Sequence, residues 1–275
     1  MATDEKVLSS RSPIGKPDAN TGIYRHGFGL KGDVSDDIQS DYTSDIIDCF
    51  RANDFELHLE GLDLYLAREF GFCYGVDKAI DYAYQTRRRF PDRRIFLTTE
   101  IIHNPRVNRR LMEMGVQFLS GQYSQGLGYT DVQPDDVVLL PAFGASVQEV
   151  ELLRQRGCTL VDTTCGSVIH VWKRVEKYAK EGYTAVIHGK YSHEETIGTS
   201  SRVTQFEGGH YIVVRDHDEA RLVCDYIEGK IPADIITNTF PNAVSQNFDP
   251  EQHLQRVGVA NQTTMLSSES LEIAG

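Results

Sequence analysis

The sequence has no Cys-x-x-Cys pair, no apolar run approaching the ~20 residues that cross a bilayer, and little positive charge. Each shortage excludes something. Without close cysteine pairs, a zinc ribbon or thioredoxin-type motif is ruled against. The five cysteines, Cys49, Cys73, Cys158, Cys165 and Cys224, are odd in number and widely spaced, so free or metal-bound thiols in a reducing compartment fit better than a disulfide framework. The lack of a long apolar run argues against a membrane span. A formal net charge of -12 argues against nucleic acid and anionic membrane surfaces as partners. The start, Met-Ala-Thr-Asp-Glu-Lys, lacks an apolar signal core and is too acidic for a typical transit peptide, which points to a cytoplasmic protein.

With 275 residues, 40% hydrophobic and 25% charged, the chain reads as globular and long enough for two domains or one large one. Residues 67–80 draw attention first. An apolar stretch (Leu62, Leu64, Leu66) runs into Gly71-Phe72-Cys73-Tyr74-Gly75, followed by Val76, Ala79, Ile80 and Ala83 at helical spacing. A cysteine in such a turn is offered free backbone N–H groups and the positive end of a helix dipole. That environment suits a thiolate nucleophile or metal ligand. A small buried hydrophobe beside a turn explains Cys73 equally well, and on this stretch alone both readings stand.

Residues 1–42 are rich in turn formers, as in Ser12-Pro13-Ile14-Gly15-Lys16-Pro17-Asp18, and read as an extension, flexible or lying on the surface. Residues 43–54 read as a short capped amphipathic helix carrying Cys49 as a packing residue. From residue 62 strands and helices alternate. Strands are expected at Leu62–Leu66, Arg94–Leu97, Val116–Leu119, Val137–Leu140, Thr159–Asp162, Thr184–His188, Tyr211–Val214 and Arg256–Ala260. Helices are expected at Val76–Arg89, Pro105–Met114, Val147–Arg156, Ile169–Gly182 and Asp218–Tyr226, with another beginning at Ser267–Ile273. Residues 120–136, 188–196 and 228–249 read as loops. Alternation of this kind predicts an α/β fold with parallel sheets and helices on both faces. The division expected is an extension over 1–61, a first α/β domain over 62–165 and a second over 166–275. By its pattern the chain stops within a helix and reads as cut short.

Ligands of open α/β sheets gather at the carboxyl ends of the strands. Cys73, His103, Cys165, His193, Glu195 and Thr263 all follow expected strands, which suggests a thiolate-ligated metal centre with polar substrate contacts. Individually each has a plainer explanation. A lone histidine after a strand is usually surface or packing, Glu194-Glu195 is a solvated pair, and Thr163-Thr164 and Thr263-Thr264 are helix caps. Cys158 and Cys224 read as structural, as do His170, His188, His210, His217 and His253.

Taken together in order, Gly71-Phe72-Cys73-Tyr74-Gly75-Val76, Glu100-Ile101-Ile102-His103-Asn104-Pro105, Asp162-Thr163-Thr164-Cys165, His193-Glu194-Glu195 and Asn261-Gln262-Thr263-Thr264-Met265 resemble the 4-hydroxy-3-methylbut-2-enyl diphosphate reductase family. Leu140-Pro141-Ala142-Phe143-Gly144-Ala145 and Ile187-His188-Gly189-Lys190 look like its plant and cyanobacterial branch. The resemblance covers about residues 43–275. It implies three similar α/β domains in a trefoil-like arrangement around a [4Fe–4S] cluster held by three cysteines. Cys73 and Cys165 match the first two. It further implies an oxidoreductase of the non-mevalonate isoprenoid pathway that removes the substrate hydroxyl as water and yields isopentenyl and dimethylallyl diphosphate. In that scheme Glu195 is the proton-delivering acid, Thr263 contacts the substrate hydroxyl, Gln262 lines the site, and His103 and His193 hold the diphosphate. The implied partners are an allylic diphosphate and an electron donor such as ferredoxin or flavodoxin.

Three departures accompany the match. Phe143 stands where many members have a diphosphate-binding histidine. Gly166-Ser167 replace the proline and bulky apolar residue that usually follow the second cluster cysteine. The third cysteine and a Ser-x-Asn diphosphate motif belong to a third domain that would lie beyond residue 275, and neither Cys158 nor Cys224 matches that cysteine. A non-catalytic diphosphate-binding or docking fragment is therefore an alternative, and a zinc hydrolase using Cys73, Cys165 and His193 a third.

Overall fold

The computed structural model describes residues 14–275, and residues 1–13 of the expected extension, with the first two of the Ser12–Asp18 turn segment, lie outside them. The chain contains two parallel sheets and a separate hairpin. The first sheet has the order β1-β7-β6-β4-β5: β1 (Ile23–Tyr24), β4 (Ile95–Leu97), β5 (Val116–Phe118), β6 (Val137–Leu140) and β7 (Thr159–Asp162). The second has the order β10-β8-β9: β8 (Thr184–His188), β9 (Tyr211–Val214) and β10 (Val257–Asn261). All pairings within these sheets are parallel. The central strands β4, β6 and β8 are buried at every residue, which is why their sequences are continuous apolar runs rather than alternating ones.

Period-two geometry divides the first sheet's side chains between two cores. Ile95, Leu97, Val137, Leu139 and Val161 meet Ile80, Ile101, Leu111 and Phe118 on one face. Phe96, Val138, Leu140 and Leu160 meet Leu153 and Leu119 on the other. The first face is covered by α1 (Lys31–Tyr42), α3 (Tyr74–Arg89) and α4 (Pro105–Glu113), the second by α5 (Val147–Gln155). A third core, built on Val186, Ile187, Ile212, Val213, Val175 and Phe240, belongs to the second sheet. It is enclosed by α6 (Gly166–Lys180), α7 (Glu194–Val203), α8 (His217–Ile227), α9 (Ala233–Thr239), α10 (Pro250–His253) and α11 (Ser267–Ala274).

The helices begin where their chemistry allows. Asn104 caps α4 by accepting from Arg106 N and Val107 N, with Pro105 at the first helical position. Ser146 and Glu149 form a reciprocal capping box at α5. Helix α3 ends in Arg87, Arg88 and Arg89, cations suited to the negative end of its dipole.

Several expectations are corrected. Residues 23–42 do not simply extend from the body, because β1 pairs with β7 and α1 packs along α3 through buried Val34. Leu62–Leu66 does not open the parallel sheet. It forms β3 (Leu62–Tyr65), antiparallel to β2 (Glu56–Leu59), in a two-stranded hairpin preceded by α2 (Asp45–Ala52). The stretch 228–249, read as irregular, contains α9, and α7 begins inside the loop expected at 188–196. Among the described residues no helix is long and apolar enough to cross a membrane.

Candidate active site

Each sheet reverses its direction of growth once. In the first, β5 lies on one side of β4 and β6 on the other; in the second, β9 and β10 flank β8. Such reversals open a crevice at the carboxyl edge. The segment after β4 carries His103, and the segment after β6 carries Phe143. The segment after β8 carries His193 and Glu195, and the segment after β10 carries Gln262 and Thr263. The two crevices meet, since His103 Nε2 lies 3.2 Å from His193 Nε2.

Glu195 occupies the first turn of α7 and is 2% exposed. Its Oε1 accepts from Thr263 N at 2.6 Å, and its Oε2 lies 3.0 Å from Thr263 Oγ1. Burial raises the carboxyl above the ordinary glutamate range, while the two Thr263 hydrogen bonds pull it back. The result is an acid that retains its proton further up the pH scale than an exposed glutamate and remains tied to a hydroxyl able to relay it. Gln262 is buried, and its Oε1 accepts from Lys190 N and Thr196 Oγ1 at 3.1 Å each, while its Nε2 donates to Thr264 Oγ1. Its amide is thus occupied in holding the β8–α7 loop beneath the site.

His193 caps α7, and its Nδ1 accepts from Glu195 N at 3.1 Å. Burial pulls its imidazole below the ordinary histidine range, with His103 and Lys190 acting in the same direction against Glu194. Phe143 stacks on the His103 ring, centroids 4.8 Å apart and planes 13° from parallel. The position expected to lack a contact therefore buttresses its neighbour instead.

Cys73 and Cys165 are the N-cap residues of α3 and α6, and neither thiol makes a capping hydrogen bond to its own helix. Cys73 follows the hairpin rather than a strand of the parallel sheet. The two helix starts converge at Gly75, where an added Cβ would lie 2.4 Å from Cys165 Sγ. Lys78, one turn further along α3, donates to Thr164 O at 2.8 Å. Cys165 N donates to Ala142 O at 2.7 Å, and Ala142 N donates to Ile101 O at 3.0 Å. Two uncommitted thiols at converging positive helix ends are a donor set suited to iron. The other cysteines take no part. Cys158 Sγ donates to Leu153 O and burial pushes its thiol up to about 11, while Cys49 and Cys224 are exposed on α2 and α8.

Among the described residues, the one His/Cys/Asp/Glu trio placed to hold a metal ion is His103, His193 and Glu194, with ligand atoms within 4.8 Å of one another. Cys73, Cys165 and His193, the trio a zinc hydrolase needs, form no such group. Protonation opposes a cation even at the first trio. His193 Nδ1 accepts from a backbone N–H, so the neutral ring carries its proton on Nε2, the atom that faces His103. The pair presents N–H, which suits an anion.

Residue-by-residue reading missed Gly75, Lys78 and Glu100. Gly75 and Lys78 lie two and five residues beyond Cys73, and Glu100 lies three before His103, but nothing in the spacing says what they touch.

Geometry and fold together define an α/β protein with two thiols at converging helix starts and a buried carboxyl–hydroxyl couple. A family profile described as LytB protein matches residues 64–275, and the chain belongs to that family. It is 49% identical over 249 residues to a 4-hydroxy-3-methylbut-2-enyl diphosphate reductase of Prochlorococcus marinus, covering 90% of this chain and 61% of that protein. The identity is also 49%, over 259 residues, to the enzyme of that name from Acaryochloris marina, covering 91% of this chain and 61% of that protein. These cyanobacterial relatives agree with the branch expected from residues 140–145 and 187–190. The chain spans about three fifths of the length of the curated relatives it matches. A solved 4-hydroxy-3-methylbut-2-enyl diphosphate reductase, described as the terminal enzyme of the non-mevalonate pathway, matches with TM-score 0.54 and 28% identity over 75% of this chain and 60% of its own. The Plasmodium falciparum structure, at 22% identity and TM-score 0.54 over 75% of this chain and 53% of its own, shares the fold.

Proposed function

We propose that this chain carries the proton-delivering and diphosphate-holding part of a 4-hydroxy-3-methylbut-2-enyl diphosphate reductase, an iron–sulfur oxidoreductase of isoprenoid synthesis. The reaction breaks one allylic C–O bond. Two electrons and two protons enter, the hydroxyl leaves as water, and a C–H bond forms at one end of the allyl unit or the other, giving isopentenyl or dimethylallyl diphosphate. A reduced carrier of the ferredoxin or flavodoxin kind is the electron source. Cys73 and Cys165 would supply two of the ligands to a [4Fe–4S] cluster, which when bound supplies Lewis acidity and a path for electrons.

The chain's own residues account for the rest. His193 Nε2–H and the His103 ring form the anion-holding wall for the diphosphate. Thr263 Oγ1 is placed to bond the substrate hydroxyl while bonded to Glu195 Oε2. Glu195, buried and raised, holds a proton near that hydroxyl and releases it as negative charge develops on the departing oxygen. Gln262 and Lys78 keep the carrying loops in place.

The Glu195–Thr263 couple is the observation that carries this reading, because a carboxyl 2% exposed and bonded through both oxygens to one threonine has no comparable role in packing alone. Anaerobic purification, iron and sulfide analysis, and incubation of the reduced protein with the allylic diphosphate test it. The expected result is diphosphate binding and weak iron uptake by this chain alone, with both five-carbon diphosphates formed only once the third cysteine and the Ser-x-Asn segment that the resemblance implies are supplied. A protein that takes up no iron on reconstitution and does not bind the diphosphate would overturn it.

A further inference from the structure

Glu100 is a half-hidden carboxylate, its side chain 14% exposed, that the mechanism above leaves unused. It is clamped. Gln122 Nε2 donates to its Oε1 at 2.6 Å, and Asn108 Nδ2 approaches its Oε2 at 3.3 Å. Asn108 is itself fixed, accepting from Ile101 N and donating to Ile102 O. Glu100 Oε2 then lies 3.4 Å from His103 Nδ1.

The protons along this line are determined by what each atom faces. Glu195 N–H points at His193 Nδ1, so the His193 proton sits on Nε2. That N–H points at His103 Nε2, which must accept, so the His103 proton sits on Nδ1, facing Glu100. A second proton on His103 would set two N–H groups against each other across 3.2 Å. A second proton on His193 would oppose the Glu195 amide. An anion oxygen between the rings removes the first conflict by accepting from both.

We infer that Glu100 is a positioning residue that receives the His103 Nδ1–H edge set by His193, and that a diphosphate entering between His103 and His193 brings one proton onto His103 Nε2. This rests on the diphosphate reading of the pocket. The charged and titratable groups facing the pair are Glu100 and His103 from the loop after β4, and Lys190, His193 and Glu194 from the loop after β8. The segment after β6 contributes only the uncharged Phe143 ring. Glu100 and Glu194 favour the added charge, and Lys190 opposes it. Glu100 is therefore the carboxylate that both orients the ring and counters the charge it acquires.

Nitrogen-15 NMR of histidine-labelled protein, with inorganic pyrophosphate as probe, tests this. The free protein should show His103 protonated at Nδ1 and bare at Nε2, and added pyrophosphate should convert it to the doubly protonated ring. Glu100→Gln should leave the free-ring tautomer in place, since His193 Nε2–H still imposes it, but should leave the ring singly protonated in the pyrophosphate complex and weaken pyrophosphate by about tenfold. A free His103 protonated at Nε2, or pyrophosphate bound without protonation of His103, overturns the inference and needs no variant to fold. Unchanged ring protonation in the pyrophosphate complex and unchanged affinity in a folded Glu100→Gln protein also overturn it. Complete absence of pyrophosphate binding instead overturns the diphosphate reading of the pocket, while the free-ring tautomer still tests the proton order along the line.

Discussion

The crevices of the two sheets offer different settings although both arise from the same reversal of strand order. At the second sheet, Glu195 and Gln262 are buried and their polar atoms are matched by Thr263, Lys190 and Thr196. At the first sheet, the His103 side chain is 51% exposed and is held by the Phe143 face, the His193 ring and the more distant Glu100 carboxylate. A group that must retain and then release a proton gains from a dry, saturated setting. A group that must receive an anion from solvent gains from an open one with few competing partners. Under the proposed function the contrast puts proton delivery at the second sheet and the open half of the diphosphate wall at the first, with His193 of the second sheet completing that wall.

Substitutions can break or sharpen this contrast. Glu195→Gln keeps the shape and both Thr263 contacts but removes the proton. If the proposed function holds, turnover of the complete enzyme should fall by about 10²- to 10⁴-fold while pyrophosphate affinity is retained, read from single-turnover kinetics and calorimetry. Near-normal turnover would remove Glu195 from its role. Gly75→Ala should be next in effect, because its Cβ meets Cys165 Sγ at 2.4 Å. Denaturant unfolding should show a loss of about 1–3 kcal/mol, and iron uptake should drop sharply. Phe143→Ala removes the stack on His103 but leaves the second sheet intact, so pyrophosphate binding should weaken about three- to tenfold. An equal loss in the Glu195 pH dependence would show that the crevices are not separate.

The smallest effect is one of stability. The folded Glu195 pKa is raised above its ordinary 4.5, so the folded protein binds the proton more tightly than the unfolded chain does. Its contribution is fully present below that ordinary value and is lost as pH rises through the higher folded one. Glu195→Gln has no such proton to lose. Its melting temperature relative to the parent should therefore climb as pH increases across that window, measured by thermal melts at fixed ionic strength. A difference independent of pH would contradict the shift.

Much of the parallel-sheet scaffold was legible because its buried strands are short continuous apolar runs bounded by turn residues, as at Val137–Leu140 and Thr184–His188. His103, Cys165, Glu195 and Thr263 could be singled out because each follows such a run. Leu62–Leu66 misled for the converse reason. Local alternation signals a strand without saying whether its partner is parallel or antiparallel, and β2 lay unrecognised beside it. The β1 pairing escaped because its two residues owe their place to β7, more than a hundred positions away. Lys78 on Thr164, Gly75 on Cys165 and His103 on His193 are likewise contacts between distant segments, which no spacing within a motif encodes.

Residue Ala142 joins two of those segments. Its N–H donates to Ile101 O in the loop of His103, and its carbonyl accepts from the amide of Cys165. Two successive peptide planes hinged at the Ala142 Cα thus serve as a cross-tie between the Cys165 end of the site and the His103 end. A disturbance at Cys165, such as oxidation or loss of a bound metal, is felt through Ala142 at the His103 loop. In hydrogen-exchange terms, the amides of Ala142 and Cys165 should lose protection together, so that the state of the thiol is read out at the His103 loop.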